Sequence, residues 1–247
     1  MTVVLVHGVP ETPAVWEPLR AVLGRTDVET PRLPGFGAPV PGGFGATKEE
    51  YVAWLVAEVE RLGAAGPVDL VGHDWGGGLV VRLVSTRPEL VRSWVTDAGA
   101  IGDPGFEWHD FAKIWQTPVE GEAFFAQQLA TPVDDQVPLF EAFGVPADRA
   151  RDLVGWADEE MAACILNLYR SAVDVGREWG PDFVDIPSPG LALLPTEDAF
   201  LSAEGSRIAA QRAGIDVVEL PGIGHWWMLQ DPAQGAAILT DFWGSLS

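Results

Sequence analysis

Three short stretches place groups that could work together on one reaction. VGHDWGGG sets Asp74 between Gly72 and Gly76 at the end of an apolar run, PGIGHWWMLQDP carries His225, and LALLPTED carries Asp198. A carboxylate is ionised at neutral pH and attacks without a base to activate it. At a saturated carbon it displaces a leaving group and becomes an alkyl ester. A histidine oriented by a second carboxylate can then draw a proton from the water that hydrolyses the ester. The second carboxylate is open between Asp198 and Asp97 in SWVTDAG, with Glu197 a weaker choice. Asp198 is favoured, because the order Asp, Asp, His along the chain suits a nucleophile that follows a middle strand. In VLVHGVPET, Gly8 permits close approach of the backbone, and the Val9 N–H could face a developing oxyanion. The Trp75 N–H, directly after Asp74, would be the second donor.

The elements that must carry these turns alternate. Thr2–Val6, Val68–Gly72, Ser93–Asp97, Gly190–Leu194 and Ile215–Leu220 read as buried strands, with a weaker strand at Asp27–Pro31. Pro13–Leu23, Lys48–Leu62, Gly76–Thr86, Ala203–Ala213 and Pro232–Trp243 read as helices. This pattern predicts an α/β fold with a mostly parallel sheet of about six strands. Asp74 then lies on a strand–turn–helix, the setting a nucleophile elbow requires, and its flanking glycines let that turn form. Residues 102–187 lack a convincing buried strand and hold aromatic segments with helical character, WHDFAKIW, EAFFAQQL and EEMAACILNLYRSAV. A core of residues 1–101 and 188–247 with a helical cap at 102–187 is the expected organisation. The cap would lie over the carboxyl ends of the strands, where open parallel sheets bind ligands.

Composition narrows the partners. With 15 Lys+Arg against 36 Asp+Glu, the formal charge is −21. Such a surface repels phosphate backbones and anionic lipid, so neither nucleic acid nor a membrane is expected as a partner. Cys164 is the single cysteine, which excludes an internal disulfide and any multi-cysteine metal site. MTVVLVHG lacks the basic region and long apolar run of a signal peptide, and no apolar run reaches membrane-spanning length. A cytoplasmic protein is expected, and a homodimer is compatible with the sequence.

Taken as a set, these motifs resemble the aspartate-nucleophile branch of the α/β-hydrolase superfamily, the epoxide hydrolases and haloalkane dehalogenases. GHDWGG at Gly72–Gly77 is similar to the epoxide hydrolase elbow, HGVP at His7–Pro10 to the HGxP oxyanion motif, and GHWW at Gly224–Trp227 to the histidine loop. PTED at Pro195–Asp198 matches the acid loop. LNLYR at Leu166–Arg170 resembles the cap segment whose tyrosine, here Tyr169, holds the epoxide oxygen. The resemblance implies opening of an epoxide to a vicinal diol, with no metal or organic cofactor. Its departures are specific. The strand pair that usually precedes the HG strand is missing, the cap is short, and Phe111 stands where the first of two cap tyrosines would be. Tyr51, the only other tyrosine, falls outside the cap. Trp108, His109 or Trp115 could donate in its place, since indole and imidazole N–H groups are donors.

A small apolar or aromatic organic substrate is implied, with Trp108, His109, Phe111, Trp115 and Trp226 around it. Trp156 and Trp179 are further candidates for the wall, although aromatics more commonly serve the core. Two alternatives stand beside epoxide opening. A dehalogenase would use the same Asp74 and His225, with Trp75 as one halide donor and a cap tryptophan or an asparagine after HG as the other; Val9 occupies that asparagine position. A non-catalytic binding protein could also keep this fold.

Overall fold

Strand β1 (Thr2–Val6) runs through the centre of the molecule, with Val3 to Val6 fully buried. The computed structural model describes residues 1–246. The other strands are β2 (Val28–Glu29), β3 (Val68–Gly72), β4 (Ser93–Thr96), β5 (Gly190–Pro195) and β6 (Asp216–Leu220). They form one sheet in the order β2-β1-β3-β4-β5-β6, and every neighbouring pair is parallel. Near-continuous Val and Leu in β1 and β3 follow from burial on both faces. Val4, Val6, Leu70 and Trp94 face one layer, whereas Val3, Leu5, Val71 and Val95 face the other.

The first layer holds α2 (Lys48–Gly63) and α3 (Trp75–Thr86), and the second holds α1 (Glu17–Val22). Thr47 and Glu50 form a reciprocal capping box at the start of α2, which satisfies two amides that the helix leaves free. Pro13–Leu23 is not one helix. A 3₁₀ turn covers Pro13–Trp16 before α1 begins, because Pro18 has no N–H to continue an α-helical ladder back to Ala14.

After β4 the chain leaves the sheet and returns at β5. Between them lie α4 (Asp110–Gln116), α5 (Glu120–Ala130), α6 (Val133–Ala142), α7 (Ala147–Gly155), α8 (Glu159–Ser171) and α9 (Val175–Trp179). The sequence pointed to α4, α5 and α8 but not to α6 and α7. Pro132, Pro138 and Pro146 punctuate that stretch, and Pro138 sits inside α6 against its intrinsic preference. Those two helices pack on each other, with Val137, Ala150 and Leu153 buried. Helix α10 (Ala203–Ala213) links β5 to β6, and α11 (Trp227–Gln230) and α12 (Pro232–Ser245) complete the second layer. No helix among the described residues is long and apolar enough to cross a membrane.

From β1 the chain steps outward to β2 and then back across to β3, so the strand order reverses between β1 and β3. A crevice opens at such a point, outside the carboxyl ends of the strands. The turns at His7–Val9 and Asp74 both emerge there. Helix α3 starts so close to β1 that a Cβ on Gly76 would lie 2.2 Å from the Val6 carbonyl oxygen. Real Cβ atoms do not come this near, and the obstacle is backbone. Gly76→Ala should therefore cost about 3 kcal/mol or more, the upper range for overpacking. Urea unfolding would measure it, and a loss under about 1 kcal/mol would show that β1 and α3 are not held this tightly.

Candidate active site

Asp74 occupies the turn between β3 and α3 with φ 51° and ψ −123°. A non-glycine residue pays of order 1–3 kcal/mol for such a conformation, which persists only where its surroundings over-determine it. Here they do. The Asp74 N–H donates to Asp97 Oδ1 at 2.9 Å, and the Asp74 carbonyl accepts from Gly78 N–H at 2.9 Å. On the facing turn, a Cβ on Gly8 would stand 2.4 Å from Asp74 Cβ and Oδ1, so only glycine lets the two turns meet. The Val9 N–H reaches across and donates to Asp74 Oδ1 at 2.8 Å. Trp75 is the first residue of α3, where an amide has no intrahelical partner.

Asp74 Oδ2 lies 3.7 Å from His225 Nε2, too far for a direct hydrogen bond. The loops after β5 and β6 position His225 together. Glu197 N–H donates to the Ile223 carbonyl at 2.9 Å, and Gly222 N–H donates to Thr196 Oγ1 at 2.9 Å. This stitching brings Asp198 Oδ2 to 2.8 Å from His225 Nδ1, while Asp198 Oδ1 accepts from Phe200 and Leu201 N–H. Burial pulls the His225 pKa down, but the Asp198 charge and hydrogen bond outweigh it and hold the pKa above 6.5. Burial likewise raises Asp198, and His225 with the two amides brings it below the usual aspartate value. Glu197 is exposed and lies on the same loop without reaching the imidazole.

Asp97 sits elsewhere. Besides the Asp74 amide, its carboxylate contacts His73 Nδ1 at 2.6 Å and accepts from Trp227 Nε1 at 2.6 Å. On its other side, His73 Nε2 is 3.1 Å from Glu11 Oε1. Glu11 in turn accepts from Gly8 N–H at 3.1 Å and from the Trp226 indole. Glu11 and His73 escaped the sequence reading, although they adjoin HGVP and Asp74; a charged residue next to an apolar strand end was the available signal. Burial lowers the His73 pKa, but Asp97 and Glu11 reverse the effect and raise it well above 6.5. Glu11, pushed up by burial, falls to about 2 through His73. His73 is thus an imidazolium with both nitrogens donating. Glu11, His73 and His225 hold ligand-type atoms within 4.8 Å of one another, but both His73 nitrogens are already engaged, by Asp97 and by Glu11. His7 is the opposite case: burial lowers its pKa to about 4, and it accepts from Leu33 N–H at Nε2 and bonds the Gly8 carbonyl at Nδ1.

A cavity of about 550 Å³ opens over Asp74 and His225, between the crevice and helices α4 to α6 and α8. Of the expected wall residues, His109, Phe111, Trp115, Tyr169 and Trp226 all line it. Trp108 does not. Its indole N–H donates to the Ala172 carbonyl at 2.8 Å, and its ring stacks on Trp75 behind Tyr169, so it belongs to the packing. Trp156 lies at the surface against Arg32, and Trp179 is buried beneath Arg82; neither reaches the cavity. Burial and the Asp74 charge raise the Tyr169 pKa well above 10, so its hydroxyl keeps its proton. Burial lowers His109 to about 4, and its Nδ1 accepts from Ala112 N–H at 3.2 Å. The proton of that neutral ring is then on Nε2.

The match to known proteins agrees with this geometry. Residues 3–238 fit the model of the Alpha/beta hydrolase family. The chain belongs to that family. A similar protein is (E)-2-((N-methylformamido)methylene)succinate hydrolase of Acinetobacter baylyi, 24% identical over 81% of this chain and 74% of that one. Lipase LipV of Mycobacterium tuberculosis is 33% identical, but over only 38% of this α/β hydrolase and 35% of the lipase. Among solved structures, haloalkane dehalogenase DbeA from Bradyrhizobium elkani superposes with a TM-score of 0.75 at 20% identity, covering 98% of this chain and 90% of that one. The 2-hydroxy-6-oxo-6-phenylhexa-2,4-dienoate hydrolase of Rhodococcus sp. strain RHA1 gives 0.78 at 18% identity, with the same coverage.

In this α/β hydrolase the Asp74 carboxylate, 15% exposed, is raised by burial from 3.8 to about 6, despite His225 and His73. A carboxyl with a raised folded-state pKa is no burden below the unfolded value and weakens the fold as pH rises through the folded one. Asp74→Asn, which keeps the Val9 hydrogen bond, should thus match the wild type in stability near pH 3.5. Above pH 7 it should be more stable by roughly 3 kcal/mol, since a tenfold change in an ionisation constant is worth about 1.36 kcal/mol. Denaturant midpoints at the two pH values check this, and an equal gain at both would remove ionisation as the cause.

Proposed function

We propose that this α/β hydrolase opens epoxides of small apolar or aromatic compounds to vicinal diols through an ester on Asp74. The observation that carries the reading is the unequal treatment of the two Asp74 oxygens. Oδ1 is held by the Val9 N–H, while Oδ2 faces the cavity side of His225. Oδ2 attacks a ring carbon, and the C–O bond to the ring oxygen breaks. Tyr169 and the Nε2–H of His109 donate to that oxygen, which takes up a proton. His109 thus fills the role left by Phe111 at the position of the first cap tyrosine. His225, oriented by Asp198, then removes a proton from water as it adds to the Asp74 carboxyl carbon. The Val9 and Trp75 amides stabilise the oxyanion. Tyr169 supplies the proton that the ring oxygen takes up. On hydrolysis the acyl C–O bond breaks, and His225 returns its proton to the departing alkoxide. The acid proton freed at Asp74 restores Tyr169, and the cycle adds one water. A carboxylate nucleophile would gain little on an ester substrate, where it would form an anhydride.

A second reading has its own support. The indole N–H groups of Trp75 and Trp115 are buried beside Tyr169, both rings meeting it edge-on, with Trp115 on the cavity wall and Trp75 just behind Tyr169. Two such donors suit a departing halide, and dehalogenation would proceed through the same ester.

Intact mass of the His225→Gln variant separates the readings. Incubated with styrene oxide, it should accumulate an adduct carrying the full epoxide mass on Asp74. An alkyl adduct with a bromoalkane, and none with the epoxide, would favour the dehalogenase. Absence of both would favour a binding protein.

Asp198→Asn should also trap the ester, whereas Asp97→Asn should lose stability without trapping it; the reverse result would exchange their roles. In the wild type, kcat/KM should rise with pH through about 6 as Asp74 ionises, and kcat through the raised pKa of His225. With Tyr169 protonated to high pH, no alkaline fall is expected below pH 10. Steady-state rates from pH 5 to 10 would check both limbs.

A further inference from the structure

The lining of the proposed substrate cavity combines two kinds of chemistry. At the floor are Asp74, His225, Tyr169 and His109, enclosed by aromatic rings. The cavity mouth is where α5 and α6 meet solvent, lined by Glu120, Gln127, Gln128, Asp135 and Gln136. Glu120 and Asp135 are exposed at this mouth, and neither forms an ion pair among the described residues. No Lys or Arg lines the cavity among those residues. Gln136 is fixed in place, its amide donating to the Gln128 and Thr131 carbonyls at 3.0 and 2.8 Å, so the α5–α6 junction that bears the mouth is built rather than loose.

We infer that this mouth selects substrates by charge, admitting neutral and cationic compounds and rejecting carboxylates. The inference deepens the epoxide reading and rests on it for the reactive end of the substrate. Three features act in the same direction. Two unpaired carboxylates flank the entry, aromatic faces along the wall attract cations rather than anions, and the whole chain carries −21. The preferred substrate class is an aryl epoxide whose far end bears an ammonium group or no charge.

The test uses three para-substituted styrene oxides, carrying methyl, trimethylammoniomethyl and carboxylate groups, with their diols as unreactive probes. At roughly twofold per mouth carboxylate per unit charge, exchanging ammonium for carboxylate should change kcat/KM by about fifteenfold at low salt. In the Glu120→Gln/Asp135→Asn double variant that ratio should fall severalfold, and in the wild type high salt should compress it. Equal use of the charged epoxides by the wild type, or an unchanged ratio in the double variant, would overturn the inference. If no epoxide is turned over, the epoxide reading fails by itself, and dissociation constants of the three diols from tryptophan quenching judge the mouth. The same order of binding then supports charge selection; equal affinities, or no binding by any, overturn it.

Discussion

The meeting of two turns, one after β1 and one after β3, is the contact on which the rest of this site depends. Gly8 lies so close to Asp74 that a side chain there would occupy the carboxylate's own space, and Gly76 brings α3 against the backbone of β1. Because the turns touch, the Val9 amide reaches one Asp74 oxygen and leaves the other toward His225. Because they touch, Asp74 must also take a backbone conformation that an ordinary residue avoids. The strain at Asp74 and the placement of its carboxylate are one feature. The sheet order supplies the reason for its location, since only where the strand order reverses do neighbouring strands send their connections to opposite sides and leave a crevice.

Beneath that contact runs a chain of buried charge, Glu11–His73–Asp97. Buried ions stabilise little by themselves, because desolvation offsets most of their attraction. Their value here is positional. Asp97 holds the Asp74 amide, Glu11 holds the Gly8 amide, and the imidazolium of His73 joins the two carboxylates. The amides on both sides of the β1–β3 contact are therefore tied to a single hydrogen-bonded unit. Through Trp226 and Trp227 that unit extends to the segment immediately after His225. The same charge is felt above it, where His73 moderates the effect of burial on Asp74.

Much of this was legible in the residues. Every core strand was located to within about a residue, since apolar runs of five bounded by Gly or Pro have few other uses. Asp74, His225 and Asp198 announced themselves by following such runs, and they do meet in space. Less readable were α6 and α7, whose prolines contradict the helix that their mutual packing enforces. Chain order favoured Asp198 over Asp97 but left Asp97 open, because both follow strands. Only the stitching of the β5 and β6 loops decides which carboxylate faces the imidazole. Trp108 misled for a related reason: an indole N–H looks the same in sequence whether it faces a cavity or a backbone carbonyl.

Phe111 shows how the two parts of the molecule share the work. The floor of the site is over-determined: altering Gly8, Gly76 or Asp97 disturbs backbone that several strands share. The walls are not. Phe111 stacks on Trp115 and lines the cavity without any polar group, and His109, two residues earlier, brings a neutral N–H to the same space. Burial lowers the His109 pKa to about 4 and its Nδ1 accepts from the Ala112 N–H, so the wall gains an N–H donor at 109 without gaining a charge. Helices between β4 and β5 can thus change their donors and their charge without touching the turn that holds Asp74. A fixed turn beneath walls that carry no sheet is consistent with a fold shared at 20% identity or less with solved hydrolase and dehalogenase structures.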